Sequence, residues 1–303
     1  MATKIKVTSL DAGKRIDAFL AEKLAMSRSQ LALTFKDEQV FVNGAPVKPS
    51  YRVKEGDEVT YELVERDELS LKPYDYPLDI LYEDEHLLVV NKDAGLVVHP
   101  AFGHHNNTLV NALMARKTAL SDGSSAFRPG IVHRLDKDTS GAIIVAKSNR
   151  VHEALGKQFK NQQVKRNYVA IVKGSLTEEA GMIKTYLTRS NLNYQKMMNT
   201  SDKGKLAITH FKVLERYKTH MLLSLELETG RTHQIRAHLE FINCSIEGDK
   251  LYGTNNRTLY KKGQLLHAHS LTFTHPVTNE ELTVTAPLPS YFKEVTRQLE
   301  KYA

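Results

Sequence analysis

Gly130-Ile131-Val132-His133-Arg134-Leu135-Asp136-Lys137-Asp138-Thr139-Ser140-Gly141 is the stretch on which the reading of this 303-residue chain turns. His133, Arg134, Asp136, Lys137, Asp138, Thr139 and Ser140 crowd chemically capable side chains into eight positions. Ile131 and Val132 precede them, and Ala142-Ile143-Ile144-Val145-Ala146 follows, an apolar run of strand length behind a glycine. The pattern predicts a polar turn between two buried strands, where a scaffold presents charged groups in fixed geometry. Asp136 is the candidate reactive carboxylate.

The length suits one large domain and one small one. With 41% hydrophobic and 25% charged residues the composition is that of a globular chain. No apolar run is long enough for a transmembrane helix, and Met1 to Val7 lacks the apolar core of a signal peptide. One cysteine, Cys244, excludes an internal disulfide and a cysteine-rich metal cage. A cytoplasmic protein is expected. Lysine and arginine number 42 against 35 acids, a net charge of +7 that favours a polyanionic partner. Residues 1–72 hold twelve basic and twelve acidic side chains, so the whole excess lies beyond them.

In residues 14–24, Ile16, Phe19, Leu20 and Leu24 recur at helical spacing. Ser27-Arg28-Ser29-Gln30 matches a capping box and predicts a second helix with Leu31 and Phe35 inside. Val40 to Val47 reads as a hairpin turning at Asn43-Gly44, and Glu58 to Leu63 as a strand with Val59, Tyr61 and Leu63 inward. This order resembles the S-four RNA-binding domain in Arg15-Ile16-Asp17, Phe19-Leu20, Ser27-Arg28-Ser29 and Val42-Asn43-Gly44. The resemblance implies that Lys14, Arg15, Arg28 and Lys36 face RNA phosphates; read singly, each is a solvated helix position.

Val64 to Pro77, charged and then proline-bearing, reads as a linker. Strands are expected at 80–82, 87–90, 165–174, 206–217, 220–228, 265–274 and 281–286, and helices at 107–116, 151–163, from about 230, and 289–302. Strands outnumber helices and many connections are too short for a parallel crossover. An α+β fold with a mixed, largely antiparallel sheet follows, with domains at 13–72 and 73–303.

Segments 133–141, 165–174 and 230–238 carry the chemistry: Asp136, the phenol of Tyr168, and Arg134, Arg231 and Arg236. An arginine beside a carboxylate keeps it ionised and nucleophilic without a metal. A metal-dependent hydrolase is the rival, from His133-x-x-Asp136 and the His233/His238 pair, whose i,i+5 spacing turns the rings apart. The plainest alternative pairs Asp136 and Asp138 with Arg134 and Lys137 at the surface.

Taken together, the three segments resemble the motifs of the large-subunit rRNA pseudouridine synthases of the A and D types. The matches are His133 to Gly141; Lys165-x-x-Tyr168-x-Ala170-x-Val172-x-Gly174; and Thr229-Gly230-Arg231-Thr232-His233-Gln234-Ile235-Arg236-x-His238. Gly248-Asp249-x-Leu251-Tyr252-Gly253 and Ala94 to Pro100 match as well, while Asp93 and Lys250 stand where the family usually has proline. The resemblance implies a cofactor-free and metal-free isomerisation of uridine in large-subunit rRNA. Asp136 would be the catalytic carboxylate, and Tyr168 the tyrosine packed on the base and a candidate proton acceptor. Arg134 would fill the stack left by a flipped uridine. Arg236 would pair with Asp136, with Arg231 the alternative, and Ile235 would pack on uracil. His133, His233 and His238 would serve structure more than catalysis, His133 lying beside the substrate. A non-catalytic rRNA-binding assembly factor is the second rival.

Overall fold

Ser140 to Ala146 is a strand in which all seven residues are buried. Alternation sends Ile143 and Val145 into one core, with Leu88, Val90, Leu109 and Leu113. Ala142, Ile144 and Ala146 enter a second, with Leu87, Val89, Val151 and Leu155. A strand covered on both faces has no polar alternation to display, hence the unbroken apolar run.

The computed structural model describes residues 3–24, 26, 31, 34–35, 37–63, 71–100, 106–122, 128–253 and 258–301. The chain divides into two units, Met1–Ser70 and Leu71–Ala303.

The first unit contains β1 (Thr3–Lys6), α1 (Ile16–Lys23), β2 (Val40–Val42), β3 (Ala45–Pro46) and β4 (Glu58–Tyr61), its antiparallel sheet ordered β1-β4-β2-β3. Ile16, Phe19 and Leu20 bury one face of α1 against Val40, Val42, Val59 and Tyr61. Asn43 and Gly44, at φ +50° and +81°, make the tight turn between β2 and β3. Leu31 and Phe35 are buried, but the capping box at Ser27 to Gln30 lies outside the described residues, as do Arg28, Lys36 and most of the linker, 64–70. Leu63, expected inside, is 40% exposed, because the ladder ends at Tyr61. The first strand, β1, pairs with β4, a role its mostly exposed residues do not announce.

The second unit runs through β5 (Asp79–Glu83), β6 (Leu87–Lys92), α2 (Leu109–Ala115), β7 (Ser140–Ala146), α3 (Asn149–Lys160), β8 (Lys165–Lys173), β9 (Ala180–Arg189), β10 (Met197–Thr200), β11 (Lys205–Arg216), β12 (His220–Leu227), α4 (Gln234–Phe241), β13 (Leu266–Thr274), β14 (Glu281–Thr285) and α5 (Ser290–Glu300). Its sheet is ordered β10-β9-β11-β12-β8-β13-β7-β6-β5, with β14 paired to β13. Every pairing is antiparallel except β7 with β13, which meet in parallel at Ser140 and Gly141. The fold is α+β with a mixed, largely antiparallel sheet. The hairpin of β9 and β10 went unread in the sequence because its inward side includes Thr185 and its outward side Met182 and Tyr186.

Ile131 and Val132 do not form the expected strand. Ile131 makes a single bridge to Val145. Since β13 leaves β7 after Gly141, the rest of that edge finds other partners: Ala146 N donates to Gly130 O at 2.8 Å, and Ile144 N to the imidazole Nε2 of His133 at 2.9 Å.

Candidate active site

The turn that precedes β7 is tied down on several sides. Gly95 N donates to Lys137 O (2.9 Å), Thr139 N to Asp136 O (3.1 Å), and Gln264 Nε2 to Thr139 Oγ1 (3.1 Å). Lys92 is 1% exposed and gives its three ammonium protons to the carbonyls of Asp93, Leu96 and Lys137, at 2.7, 2.8 and 3.0 Å. Burial draws Lys92 down to about 7, while the charges of Asp138, Asp136 and Asp93 act in the opposite sense. Asp93, in the usual place of a proline, accepts a 2.6 Å bond from Tyr76 Oη, which braces the loop by another means.

Held in this way, the Asp136 carboxylate is 17% exposed and meets Arg236, whose Nη1 donates to Oδ2 at 2.9 Å. Arg236 projects from α4 and is itself gripped by Asp249: Nε donates to Oδ2 at 2.7 Å and Nη2 to Oδ1 at 2.9 Å. Asp249 is wholly buried and also accepts from the backbone N of Leu251 and Tyr252, so the clamp is rigid on the far side. The Asp249 carboxyl is held below its ordinary value by Arg236 and those amides against the cost of burial, and Arg236 is pushed up by the two carboxylates. Arg231, the alternative partner, instead donates Nε to Leu206 O at 3.0 Å.

The loop before α4 is positioned by Gln234. Its Oε1 accepts from Thr229 Oγ1 (2.8 Å) and Arg231 N (3.0 Å), and its Nε2 donates to Ile208 O (2.9 Å) and Thr209 Oγ1 (3.0 Å) on β11. His233 adopts a left-handed φ of +54° at the helix start. Its Nδ1 lies 3.1 Å from Tyr252 Oη and its Nε2 3.8 Å from Asp136 Oδ2. His238 sits between the hydroxyls of Thr209 and Thr185 at 2.8 and 3.0 Å, away from His233. Among the described residues no group of three metal-ligating side chains converges.

A cavity of about 420 Å³ opens beside Asp136, walled by Tyr168, Ile235, Leu266, Arg166, Arg231 and Phe159. A smaller one of about 230 Å³ shares Arg134, Asp136, His233 and Arg236 with it. Tyr168 is 7% exposed on the buried face of β8, and burial pushes its phenol up to about 12. It is a neutral ring at ordinary pH, able to pack and to donate a proton in a hydrogen bond but not to accept one as a phenolate. Arg134 is exposed and makes no hydrogen bond or ion pair among the described residues. His133 stacks on Phe159 at 4.5 Å, and burial, with Arg166 nearby, lowers it to about 3, so it is a neutral cap on β7 at the cavity wall.

The structure thus brings Asp136, Tyr168, Arg236, Ile235, Arg134, Arg231 and His133 to one cleft. Lys14 and Arg15, in the other unit, are engaged by acids: Lys14 with Asp11 and Glu22, Arg15 with Asp17. Asp249, Gln234, Lys92 and Arg166 were not singled out in the sequence as site residues. For Asp249 the signal was the Gly-Asp-x-Leu-Tyr-Gly segment; for Lys92 and Arg166 no local signal exists, since burial makes them matter.

The profile of the RNA pseudouridylate synthase family matches residues 86–241, more than half of the chain. The chain belongs to that family. It is an RNA pseudouridine synthase, an isomerase, with an S4 domain matched at residues 14–59. An uncharacterized RNA pseudouridine synthase of Bacillus subtilis strain 168 is 46% identical over 98% of this chain and 99% of its own length. The ribosomal large subunit pseudouridine synthase D of Xylella fastidiosa strain Temecula1 is 42% identical over 92% of this chain and 86% of that protein. Among solved structures, human RNA pseudouridylate synthase domain containing 1 superposes with a TM-score of 0.58 at 26% identity, over 71% of this chain and 84% of that one. No helix among the described residues is long and apolar enough to cross a membrane.

Proposed function

We propose that this synthase isomerises uridines of large-subunit ribosomal RNA in the cytoplasm, with Asp136 as its reactive carboxylate and without a cofactor. The observation that carries the reading is the Asp136–Arg236–Asp249 chain at the mouth of a cavity whose wall includes Tyr168 and Ile235. The guanidinium binds only Oδ2 of Asp136, which lines the cavity, and takes no part in covalent chemistry. Asp136 attacks the anomeric carbon of the ribose or assists departure of the base; the bond from that carbon to N1 breaks. The uracil turns against Tyr168 and Ile235 and re-bonds through carbon 5. Where Asp136 has bonded to the anomeric carbon, that carbon–oxygen bond breaks as the carbon–carbon bond forms and the carboxylate is freed. Carbon 5 gives up its proton while N1 gains one. Atoms and charge balance with nothing added.

A uridine reaches such a site only by leaving its stack, at a cost of a few kcal/mol. Arg134, exposed and without a hydrogen bond or ion pair among the described residues, has the planar cation to cover the vacated step. Ile235 and Tyr168 supply the apolar slot, Arg231 a cation at its wall, and His133 the support behind it. In the S4 unit, Lys14, Arg15, Arg28 and Lys36 supply phosphate contacts, for which Lys14 and Arg15 exchange their acidic neighbours at small cost.

Replacing Asp136 with Asn tests the reading. Isomerisation of large-subunit rRNA is expected to vanish while RNA affinity stays within a few-fold, since phosphate contacts lie elsewhere. Turnover at the wild-type rate would remove Asp136 from the role. Mapping pseudouridine in rRNA from cells lacking the protein identifies the target; an unchanged map would argue for another RNA or for a non-catalytic assembly role.

A further inference from the structure

Arg166 is 8% exposed, lies in the wall of the large cavity, and has no carboxylate partner among the described residues. Its Nη2 donates to the carbonyls of Leu227 and Glu228 at 3.2 and 3.0 Å, its Cζ lies 6.0 Å from the Phe159 ring centroid, and its buried Nε has no hydrogen-bond partner among the described residues. Arg231 stands near enough for the two cations to repel, and it too is held through a carbonyl, that of Leu206. The cavity wall carries five cations, Arg134, Lys160, Arg166, Arg231 and Arg236, against the carboxylates of Asp136 and Glu228. Both carboxylates are engaged, Asp136 by Arg236 and Glu228 by His210 Nε2 at 2.6 Å. A buried guanidinium without a counter-charge is costly to fold and is retained where an anion arrives to meet it.

We infer that Arg166 and Arg231 form a phosphate subsite that grips a backbone phosphodiester of the RNA strand beside the uridine held at Tyr168. This rests on the proposed reading of the cavity. Arg166 and Tyr168 are two residues apart on β8, so they share a face about 6.6 Å apart along the strand. A base on one therefore brings its own sugar–phosphate toward the other. Gly230 makes the approach possible: a Cβ there would lie 2.3 Å from Arg166 Nη1. The bare backbone leaves that nitrogen its place, and Nη1 makes no hydrogen bond among the described residues.

The test uses the full chain and a short fluorescein-labelled oligoadenylate with one central uridine. It is made fully charged, or with a neutral methylphosphonate on one or the other side of the uridine. Affinity is read by fluorescence anisotropy. For the wild type, neutralising the linkage that docks should weaken binding roughly tenfold or more, the worth of a charge-assisted hydrogen bond. Arg166→Gln should bind the charged oligonucleotide more weakly by a similar factor and lose little further on neutralisation, because the partners act as one pair. Its plot of log affinity against log salt should be shallower by about 0.7, one single-strand phosphate. Gly230→Ala keeps the arginine but displaces its tip, and should share these losses if Arg166→Gln folds poorly. Equal further loss on neutralisation in wild type and variants, at both linkages, would overturn the subsite. Pseudouridine formation is measured separately, so an inactive wild type would count against the proposed function without touching the binding result.

Discussion

Arg236 gives two of its three nitrogens to Asp249 and one to Asp136. The carboxylate at the cavity is therefore the lesser partner of its own arginine. Asp249 sets where the guanidinium sits, and Asp136 receives what remains.

Asp249→Asn should accordingly be as damaging as a change at the cavity itself. Breaking a buried pair leaves a charge uncompensated, at about 3 kcal/mol or more. The denaturant midpoint should fall, and single-turnover isomerisation should slow at least tenfold. Arg236→Lys should not rescue, since an ammonium lacks the planar fork that serves both carboxylates. Wild-type stability and rate in Asp249→Asn would show that Asp136 positions Arg236 unaided.

Tyr168, pushed up to about 12 by burial, stays a phenol through the range in which enzymes are assayed. Tyr168→Phe should lower kcat without altering the shape of the pH–rate profile between pH 6 and 9. Tyr168→Ala should also weaken RNA binding, by about 1–3 kcal/mol for loss of base–aromatic contact. A limb of the profile that disappears in Tyr168→Phe would make the tyrosine a titrating base after all.

Acid should destabilise the fold through its buried imidazoles. Burial lowers His238 and His267 from 6.5 to about 4. Between those values the unfolded chain binds protons that the native state refuses, so stability rises with pH there. It is full above pH 6.5 and is lost as the pH falls toward 4. At about 1.4 kcal/mol per unit, His238 alone accounts for on the order of 3 kcal/mol. Glu247, held at about 2 by His220, Thr258 and backbone amides against the cost of burial, extends the loss below pH 4.5. Thermal scans across pH 4 to 8 should show the midpoint dropping below 6.5, less steeply in His238→Gln. A flat midpoint would contradict these assignments.

Gly141→Ala should prevent folding or cost several kcal/mol. Its φ is +111°, and a Cβ would lie 2.2 Å from Ala268 O, where β7 and β13 run in parallel. Soluble expression and the thermal midpoint report the outcome; a stable Gly141→Ala protein would mean that this junction yields.

The fold was legible where pattern and burial agree. The run Ala142 to Ala146, the Asn43-Gly44 turn and the helical spacing of Ile16, Phe19 and Leu20 each meet one physical demand. It was not legible where tertiary contacts override local pattern. Ile131 and Val132 look like a strand, yet β13 and the His133 ring occupy the edge they would need. Of the site, the residues within the three dense motifs could be named. Asp249 and Arg166 could not be assigned a task, because their meaning lies in a partner 13 residues away, in Asp249's case, or in the lack of a carboxylate partner among the described residues, in Arg166's. No periodicity records either.

The turn bearing Asp136 is bolted to β7, whose seven residues are all buried, and Lys92 ropes its Lys137 carbonyl to those of Asp93 and Leu96. Amide hydrogens of β7 should exchange only through global opening. The receptor thus behaves as a template that does not yield, and the work of deformation falls on the RNA. Candidate uridines are then ranked by how cheaply their own strand comes apart: a loop or a weakly stacked bulge is cut to fit, and a well-stacked helix is refused for its stiffness before any base is read.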